Sequence, residues 1–187
     1  MTKGNRMNKK GDFMEQMRFS APEEYPKIEA VKPNLPFAKK LLSAYSARDS
    51  EMSATTSYCY RAVVLEPRYP ALSKIMSGIA RVEMLHLTTL AKLIYLLGYD
   101  PKYRILQNTE PSFWNGDYVS YKKDPESILK TAIQEEKGAH KGYLELSEQA
   151  CDKNVAKILY RLSLDEKLHV QILEAELCKL KKYAARS

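Results

Sequence analysis

Two glutamate–histidine pairs with the same spacing are the residues of this chain best suited to chemistry. Glu83 and His86 form one pair, and Glu166 and His169 form the other. A separation of three residues places both side chains on one face of a helix, and apolar residues a turn or two on either side mark that face as core-facing. An unpaired buried charge is costly, and carboxylate and imidazole both bind iron, manganese or zinc. The pairs therefore predict a metal site.

A di-metal site in a four-helix bundle needs one further glutamate from each of two other helices. Glu51 is the only acid on the apolar face of a helix predicted over residues 34–65, although a surface glutamate is the alternative. Glu135 and Glu136 compete for the inward position on a later helix. Alanine at +3 and tyrosine at +7 follow both Glu51 and Glu136, so the phase favours Glu136.

The chain thus contains two copies of one unit, a helix with Glu, Ala at +3 and Tyr at +7, followed by a helix with Glu-x-x-His. This duplication predicts two nearly equivalent positions for divalent ions. By analogy with such bundles, we expect Glu51 and Glu136 to be terminal ligands and Glu83 and Glu166 to be bridging ligands. Without metal, the crowded carboxylates should have raised pKa values. The predicted metal ligands are Glu51, Glu83, His86, Glu136, Glu166 and His169.

Two tyrosines follow the predicted terminal glutamates by seven residues. Tyr58 and Tyr143 are candidate catalytic-site residues, because a phenol there can donate a hydrogen bond to a ligand carboxylate and orient it. Ordinary core tyrosines are the alternative interpretation. His140 lies near the same face, and we interpret it as a flanking histidine rather than a seventh ligand.

Periodicity predicts an all-α fold of four helices, over residues 34–65, 71–97, 124–150 and 153–182. Residues 98–124 are too long for a hairpin link and suit a crossover that leaves helices 2 and 3 roughly parallel. Residues 1–33 are predicted to be a flexible or surface-hugging arm, and 183–187 a fraying tail. The crossover carries aromatic side chains that we expect to pin it to the bundle: Tyr103, Phe113, Trp114, Tyr118 and Tyr121.

Composition restricts the possible partners and location. The formal net charge is +7, but no basic stripe interleaved with aromatics indicates nucleic-acid binding. The three cysteines include no Cys-x-x-Cys pair, which argues against a disulfide framework or a rubredoxin-type knuckle. No apolar run has transmembrane length and no signal-peptide pattern is present, so we expect a cytoplasmic protein that does not bind membranes. A homodimer or higher homo-oligomer is expected.

Two stretches carry a resemblance to a known superfamily. Residues 51–58, EMSATTSY, resemble the Glu-x-x-Ala-x-x-x-Tyr motif of the first helix of bacterioferritins and rubrerythrins. Residues 165–170, DEKLHV, with LEAEL at 173–177, are similar to the fourth helix of bacterioferritins. The resemblance spans roughly residues 34–180 and implies a ferritin-like antiparallel four-helix bundle, as in the related manganese catalases. It also implies a carboxylate-bridged di-iron or di-manganese centre at the six predicted ligands.

The departures from the family patterns bear on function. The rubredoxin-like cysteine module of full-length rubrerythrins is missing, and Ala139 stands where rubrerythrins carry an extra glutamate, or Gly138 if Glu135 is the ligand. Met84 occupies the place of the haem-ligating methionine of bacterioferritins, but we do not expect haem. The sequence leaves iron and manganese open.

The expected function is an oxidoreductase that reacts with hydrogen peroxide or dioxygen, of the rubrerythrin or manganese-catalase type. The alternatives are Fe(II) oxidation with iron storage and a non-enzymatic structural metal-binding bundle.

Overall fold

The computed structural model describes residues 19–29, 32–107 and 110–185. Over these ranges the chain is an antiparallel four-helix bundle, as predicted, with one additional short helix and one β-hairpin. The helices are α1 (Leu35–Ser46), α2 (Glu51–Leu65), α3 (Pro70–Leu96), α4 (Pro125–Gln149) and α5 (Lys153–Ala184). The antiparallel strands β1 (Arg104–Gln107) and β2 (Glu110–Phe113) precede a 3-10 turn at Gly116–Tyr118.

Side-chain caps fix three of the helix starts close to where the sequence predicted them. Asn34, Asp124 and Asp152 each accept a hydrogen bond from a backbone N–H in the first turn of the helix that follows. Gly98 has φ of 92° just after α3, a conformation that favours glycine and ends the helix. These caps determine where the helices begin and where α3 ends.

The predicted continuous helix over residues 34–65 is instead two helices separated by residues 47–50. The Ser50 side chain caps α2 by accepting from the Ser53 N–H, and the Ser53 hydroxyl donates to the Ala47 carbonyl. Serine and aspartate favour such local hydrogen bonds over a continuous helix. Glu51 therefore becomes the first residue of α2, close to the positive end of the helix dipole.

The apolar core consists of two clusters. One is formed mainly by α1, the second half of α3 and the first half of α5, and it includes Leu41, Leu90 and Leu159. The other joins α2 to the first halves of α3 and α4 and to the second half of α5. The Glu-x-x-His pairs lie between the two clusters along α3 and α5, so apolar packing encloses them at both ends.

The N-terminal segment differs from the predicted flexible or surface-hugging arm where the structure describes it. Phe19 and Ala21 are buried, and the Phe19 ring packs against Gly78 of α3. Burial of an apolar ring gives this segment a fixed place in the bundle. Residues 1–18 and 30–31 of the predicted arm lie outside the described residues, as do residues 186 and 187 of the predicted tail.

The crossover between α3 and α4 contacts the bundle through several of its aromatic residues. Tyr103 stacks on Tyr45 of α1, and the Trp114 indole donates a hydrogen bond of 2.9 Å to the Ser53 hydroxyl. Tyr121 packs edge-on against a tyrosine of α2, whereas Phe113 stays exposed. The hairpin within this connection was not predicted. None of the helices in the described ranges combines the length and apolarity needed to cross a membrane.

Candidate metal centre

The structure brings all six predicted ligand side chains together in the middle of the bundle. Each of them is at least 96% buried. Glu51 comes from α2, Glu136 from α4, and the two Glu-x-x-His pairs come from α3 and α5. They form two groups in which one ligand atom per residue lies within 4.8 Å of the others, and both groups share Glu83 and Glu166.

In the first group the Nδ1 atom of His86 faces three carboxylates. It lies 2.9 Å from Glu166 Oε1, 3.6 Å from Glu83 Oε2 and 3.8 Å from Glu51 Oε2. Glu51 belongs to this group alone. An ion placed among these atoms would have one histidine, one terminal carboxylate and two shared carboxylates around it, a donor set suited to iron or manganese.

The second group repeats this arrangement around His169. Its Nδ1 atom lies 3.0 Å from Glu83 Oε1 and 3.2 Å from both Glu136 Oε2 and Glu166 Oε2. Glu136 takes the place that Glu51 has in the first group. The imidazole rings of His86 and His169 are 6.3 Å apart, so the two groups are adjacent.

The outer nitrogen of each histidine is hydrogen-bonded, which fixes the orientation of the ring. His169 Nε2 lies 2.9 Å from the Phe19 carbonyl oxygen, and because a carbonyl only accepts, this nitrogen carries a hydrogen. His86 Nε2 lies 2.9 Å from Asp165 Oδ2 and donates to it. Both rings therefore turn Nδ1 towards the carboxylates, as metal-binding histidines do when their other nitrogen is held.

Tyr58 and Tyr143 each donate to a terminal carboxylate, but of the opposite group. The Tyr58 phenol hydrogen-bonds to Glu136 Oε1, and the Tyr143 phenol to Glu51 Oε1. Burial and nearby carboxylates raise the pKa of both phenols well above the ordinary value, so they stay protonated donors. Their position fits the predicted role as orienters of ligand carboxylates.

In the metal-free centre, two of the four glutamates have raised pKa values and two have lowered ones. Burial, with repulsion from Glu83 and Glu166, raises the pKa of Glu51 and of Glu136 well above the ordinary value. Burial also acts to raise the pKa of Glu83 and Glu166, but interactions that include hydrogen bonds from the two histidines outweigh it and lower both. Only the terminal pair therefore follows the prediction that crowding raises the carboxylate pKa values.

The histidines complete this charge balance. Burial acts to lower the pKa of His86 and His169, but attraction by neighbouring carboxylates prevails and raises both well above the ordinary value. Without metal, the raised pKa values favour protonated imidazoles and protonated terminal carboxyls, whereas the lowered ones favour ionised Glu83 and Glu166. Two divalent ions can replace four protons, two on imidazoles and two on terminal carboxyls, without changing the net charge.

Several atoms that face the centre make no well-directed hydrogen bond among the described residues, namely Glu51 Oε2, Glu83 Oε1, His86 Nδ1 and Glu166 Oε1, although His86 Nδ1 and Glu166 Oε1 are only 2.9 Å apart. Buried polar atoms are rarely left without partners, so each such atom calls for an explanation. Glu51 Oε2, His86 Nδ1 and Glu166 Oε1 lie in the first group, whereas Glu83 Oε1 faces His169 Nδ1 in the second. The donor sets of the two groups therefore fit divalent cations, which would satisfy these atoms.

Glu135 and Glu136, the two candidates for the inward position on the third predicted helix, differ in burial and in their contacts. Glu136 is buried among the six, whereas Glu135 is 38% exposed and pairs with Arg61 of α2 at 2.7 Å. His140 lies outside both groups, and its Nδ1 donates to the Ser163 carbonyl at 2.8 Å. The phase argument thus selected the acid that faces the centre.

Asp165 was not predicted as a site residue, although it directly precedes Glu166. It is fully buried, and burial acts to raise its pKa. Hydrogen bonds from His86, Tyr25 and Arg161 prevail and hold the pKa below the ordinary value. Its position in the Asp-Glu-x-x-His stretch and the i,i+4 spacing from Arg161 were the available signals. The contact with His86 comes from another helix, so helix periodicity alone does not reveal it.

Comparison with known families gives a consistent result. The family model described as Rubrerythrin matches residues 41–177, which is most of the chain and includes all six residues of the centre. No curated protein matches the chain at the level required for significance.

Solved structures share the fold at low sequence identity. KatB, a manganese catalase from Anabaena, is 23% identical with a TM-score of 0.76, over 87% of this chain and 80% of that one. A bacterioferritin from Rhodobacter capsulatus is 22% identical with a TM-score of 0.67, over 81% of this chain and 89% of that one. The Desulfovibrio desulfuricans bacterioferritin, described with a diiron site, is 20% identical with a TM-score of 0.66, over 90% and 84% of the two chains.

Proposed function

Because the chain belongs to the rubrerythrin family, we propose that it is a di-metal oxidoreductase that reacts with hydrogen peroxide or dioxygen. One observation supports this most directly. The two buried groups share Glu83 and Glu166, so two ions would lie side by side with two carboxylates between them. Glu51 with His86, and Glu136 with His169, would hold the outer side of each ion.

Two adjacent reducible iron or manganese ions, when bound, supply two electrons to an O–O bond. The chain contributes the environment for this chemistry. Burial of all six side chains keeps bulk water away, and the phenols of Tyr58 and Tyr143 hold the terminal carboxylates in position. The same phenols keep their own protons, so their role is to orient and not to ionise.

The test is a peroxide assay on the full chain after loading with Mn²⁺ or with Fe²⁺. We expect two metal ions per chain and consumption of hydrogen peroxide by the loaded protein. Oxygen release without an added reductant indicates a catalase reaction, whereas dependence on a reductant indicates a peroxidase. A loaded protein that neither consumes peroxide nor oxidises under dioxygen contradicts the proposal.

Glu166→Gln provides the matched variant, because it removes one shared charge while keeping the shape of the side chain. Glu145→Gln on α4 is the control, since Glu145 is an exposed acid that lies 3.7 Å from Lys141. We expect Glu166→Gln to lose metal and turnover together and Glu145→Gln to keep both. A structural metal-binding bundle would bind two ions in the wild type but show no turnover with peroxide or dioxygen.

Oxidation and storage of Fe(II) is the second candidate, because the same ligands accept Fe(II) as a substrate. Storage requires a closed shell of many subunits. Size-exclusion chromatography separates the two candidates, since a monomer or dimer excludes a shell. We expect a small homo-oligomer of cytoplasmic location.

A further inference from the structure

The two copies of the internal repeat differ in residue type at two pairs of equivalent positions next to the centre, on α3 and α5. Glu83 and His86 correspond to Glu166 and His169, each 83 residues later. With the same offset, Val82 corresponds to Asp165 and Gly78 corresponds to Arg161. The first of each pair is apolar or has no side chain, and the second is charged and buried. The two halves of the centre therefore have different surroundings.

The N-terminal segment, defined as residues 19–25, contacts α3 and α5 at these positions. On α5, the Ala21 N–H donates to Asp165 Oδ1 at 2.6 Å, and the Tyr25 phenol donates to Asp165 Oδ2. Arg161 donates to Asp165 Oδ1 at 2.7 Å and also to the backbone carbonyls of Ala21 and Glu23. Three donors besides His86 thus hold the Asp165 carboxylate in one orientation.

On α3 the same segment uses the space that Gly78 leaves. A Cβ atom at position 78 would lie 2.6 Å from Phe19 Cζ, so only glycine accommodates the ring there. The buried ring places the Phe19 carbonyl 2.9 Å from His169 Nε2. Val82, the repeat equivalent of Asp165, has no polar atom and therefore cannot accept a hydrogen bond from His169.

The partners of the two histidines are consequently unequal. His86 donates to an ionised carboxylate, whereas His169 donates to a neutral carbonyl. A hydrogen bond to a charged acceptor is about twice as strong as one to a neutral acceptor, and it makes the imidazole a better metal ligand.

We infer that the N-terminal segment and Asp165 together position His86, so that the half containing Glu51 and His86 binds its ion more tightly than the half containing Glu136 and His169. This inference rests on the metal centre of the proposed function. In it, Tyr25 and Asp165 are positioning residues that act through His86, and the centre loads in two distinct steps.

The test uses two variants of the full chain that each keep one half. His169→Ala retains the His86 half, and His86→Ala retains the His169 half. Titration with Mn²⁺, with binding measured by electron paramagnetic resonance of the free ion, should give an affinity at least 10-fold higher for His169→Ala. Equal affinities, or tighter binding by His86→Ala, overturn the inference.

Asp165→Asn is then added to each variant. Loss of a partner to a ligand histidine commonly weakens metal binding by about 10- to 100-fold. We expect that loss in the His169→Ala background and a change below about 3-fold in the His86→Ala background, because Asp165 is hydrogen-bonded to His86, whereas the outer nitrogen of His169 is held by the Phe19 carbonyl. A similar loss in both backgrounds indicates a general structural role for Asp165 and contradicts the inference.

Tyr25→Phe provides a second test in case Asp165→Asn does not fold. It removes only one partly buried hydroxyl, which donates to Asp165. It should weaken the first binding step of the otherwise wild-type chain and leave the second unchanged. Tyr60→Phe is the control, because the Tyr60 hydroxyl lies 3.4 Å from the Tyr121 carbonyl in an exposed place. An unchanged first step in Tyr25→Phe counts against the inference, whereas a wild type that binds no Mn²⁺ contradicts the proposed function itself.

Discussion

The phenol of Tyr58, on α2, donates to the carboxylate of Glu136, on α4. The repeat places Tyr58 seven residues after Glu51, yet its partner belongs to the other half of the centre. Tyr143 shows the reverse relationship with Glu51. The two hydrogen bonds cross the bundle and tie the helices that carry the terminal glutamates, so the predicted metal centre and the packing of α2 against α4 depend on each other.

Tyr58→Phe and Tyr143→Phe should each weaken metal binding by about 10-fold or more, because a terminal carboxylate loses the donor that orients it. Each should also reduce the free energy of unfolding of the metal-free protein by about 1–3 kcal/mol, since a buried acceptor is left without its partner. Calorimetric metal titration and chemical denaturation measure the two effects. Tyr60→Phe, which removes an exposed hydroxyl, should change neither; an equal effect there argues against a special role of the buried pair.

Glu136→Gln and Glu135→Gln should differ in the number of ions bound, although the two residues are adjacent. Glu136 faces the centre, whereas Glu135 pairs with Arg61 at the edge of the bundle. We expect elemental analysis to find about one ion fewer per chain for Glu136→Gln and no change for Glu135→Gln. The reverse result would identify Glu135 as the ligand.

The metal-free protein should lose stability as the pH rises, from about 4.5 through the two terminal glutamates and from about 6.5 through the two histidines. The folded-state pKa values of His86, His169, Glu51 and Glu136 are all raised, so the folded chain binds more protons than the unfolded chain in this range. Stability that these groups contribute is present below their unfolded pKa values and is lost as the pH rises towards the folded ones.

On the acidic side, the lowered pKa values of Glu83, Glu166 and Asp165 reduce stability as the pH falls below about 4.5. Thermal melts with a chelator present, between pH 4 and 9, should show a maximum under mildly acidic conditions. Loading with Mn²⁺ should remove the decline at alkaline pH, because the ions supply the positive charge. A metal-free protein that becomes more stable from pH 6.5 to 9 would contradict the proposed charge balance.

Gly78→Ala should destabilise the protein by about 1–3 kcal/mol, because the added methyl group overlaps the buried Phe19 ring. Gly138→Ala is the matched control within a helix, since a Cβ there meets nothing within 4 Å. It should stabilise the protein by about 0.5–1 kcal/mol through reduced backbone entropy. Denaturant unfolding of both variants measures the contrast.

Phe19→Ala should restore part of the loss caused by Gly78→Ala, since it removes the ring that the new methyl group meets. The double variant should still bind the ion at His169 less tightly, because the Phe19 carbonyl is no longer held in place. If Gly78→Ala and Gly138→Ala are equally tolerated, Phe19 does not hold this position in solution.

Most of the helices, and the inward position of the six predicted ligand residues, could be predicted from the sequence because both depend on local periodicity. Glu83 with His86, and Glu166 with His169, share a face through helix geometry alone, and the repeat selected Glu136 over Glu135. The caps Asn34, Asp124 and Gly98 similarly act within a few residues of their own position.

Contacts between distant segments could be known only from the tertiary structure. Asp165 and Val82 occupy equivalent positions of the repeat, yet one holds the histidine of another helix and the other packs in the core. The crossed tyrosine–glutamate pairs and the buried Phe19 likewise join residues that are more than fifty positions apart. The sequence by itself thus determined which side chains turn inward, because a helix repeats every 3.6 residues. Which inward side chains meet was decided by how the helices and the N-terminal segment pack.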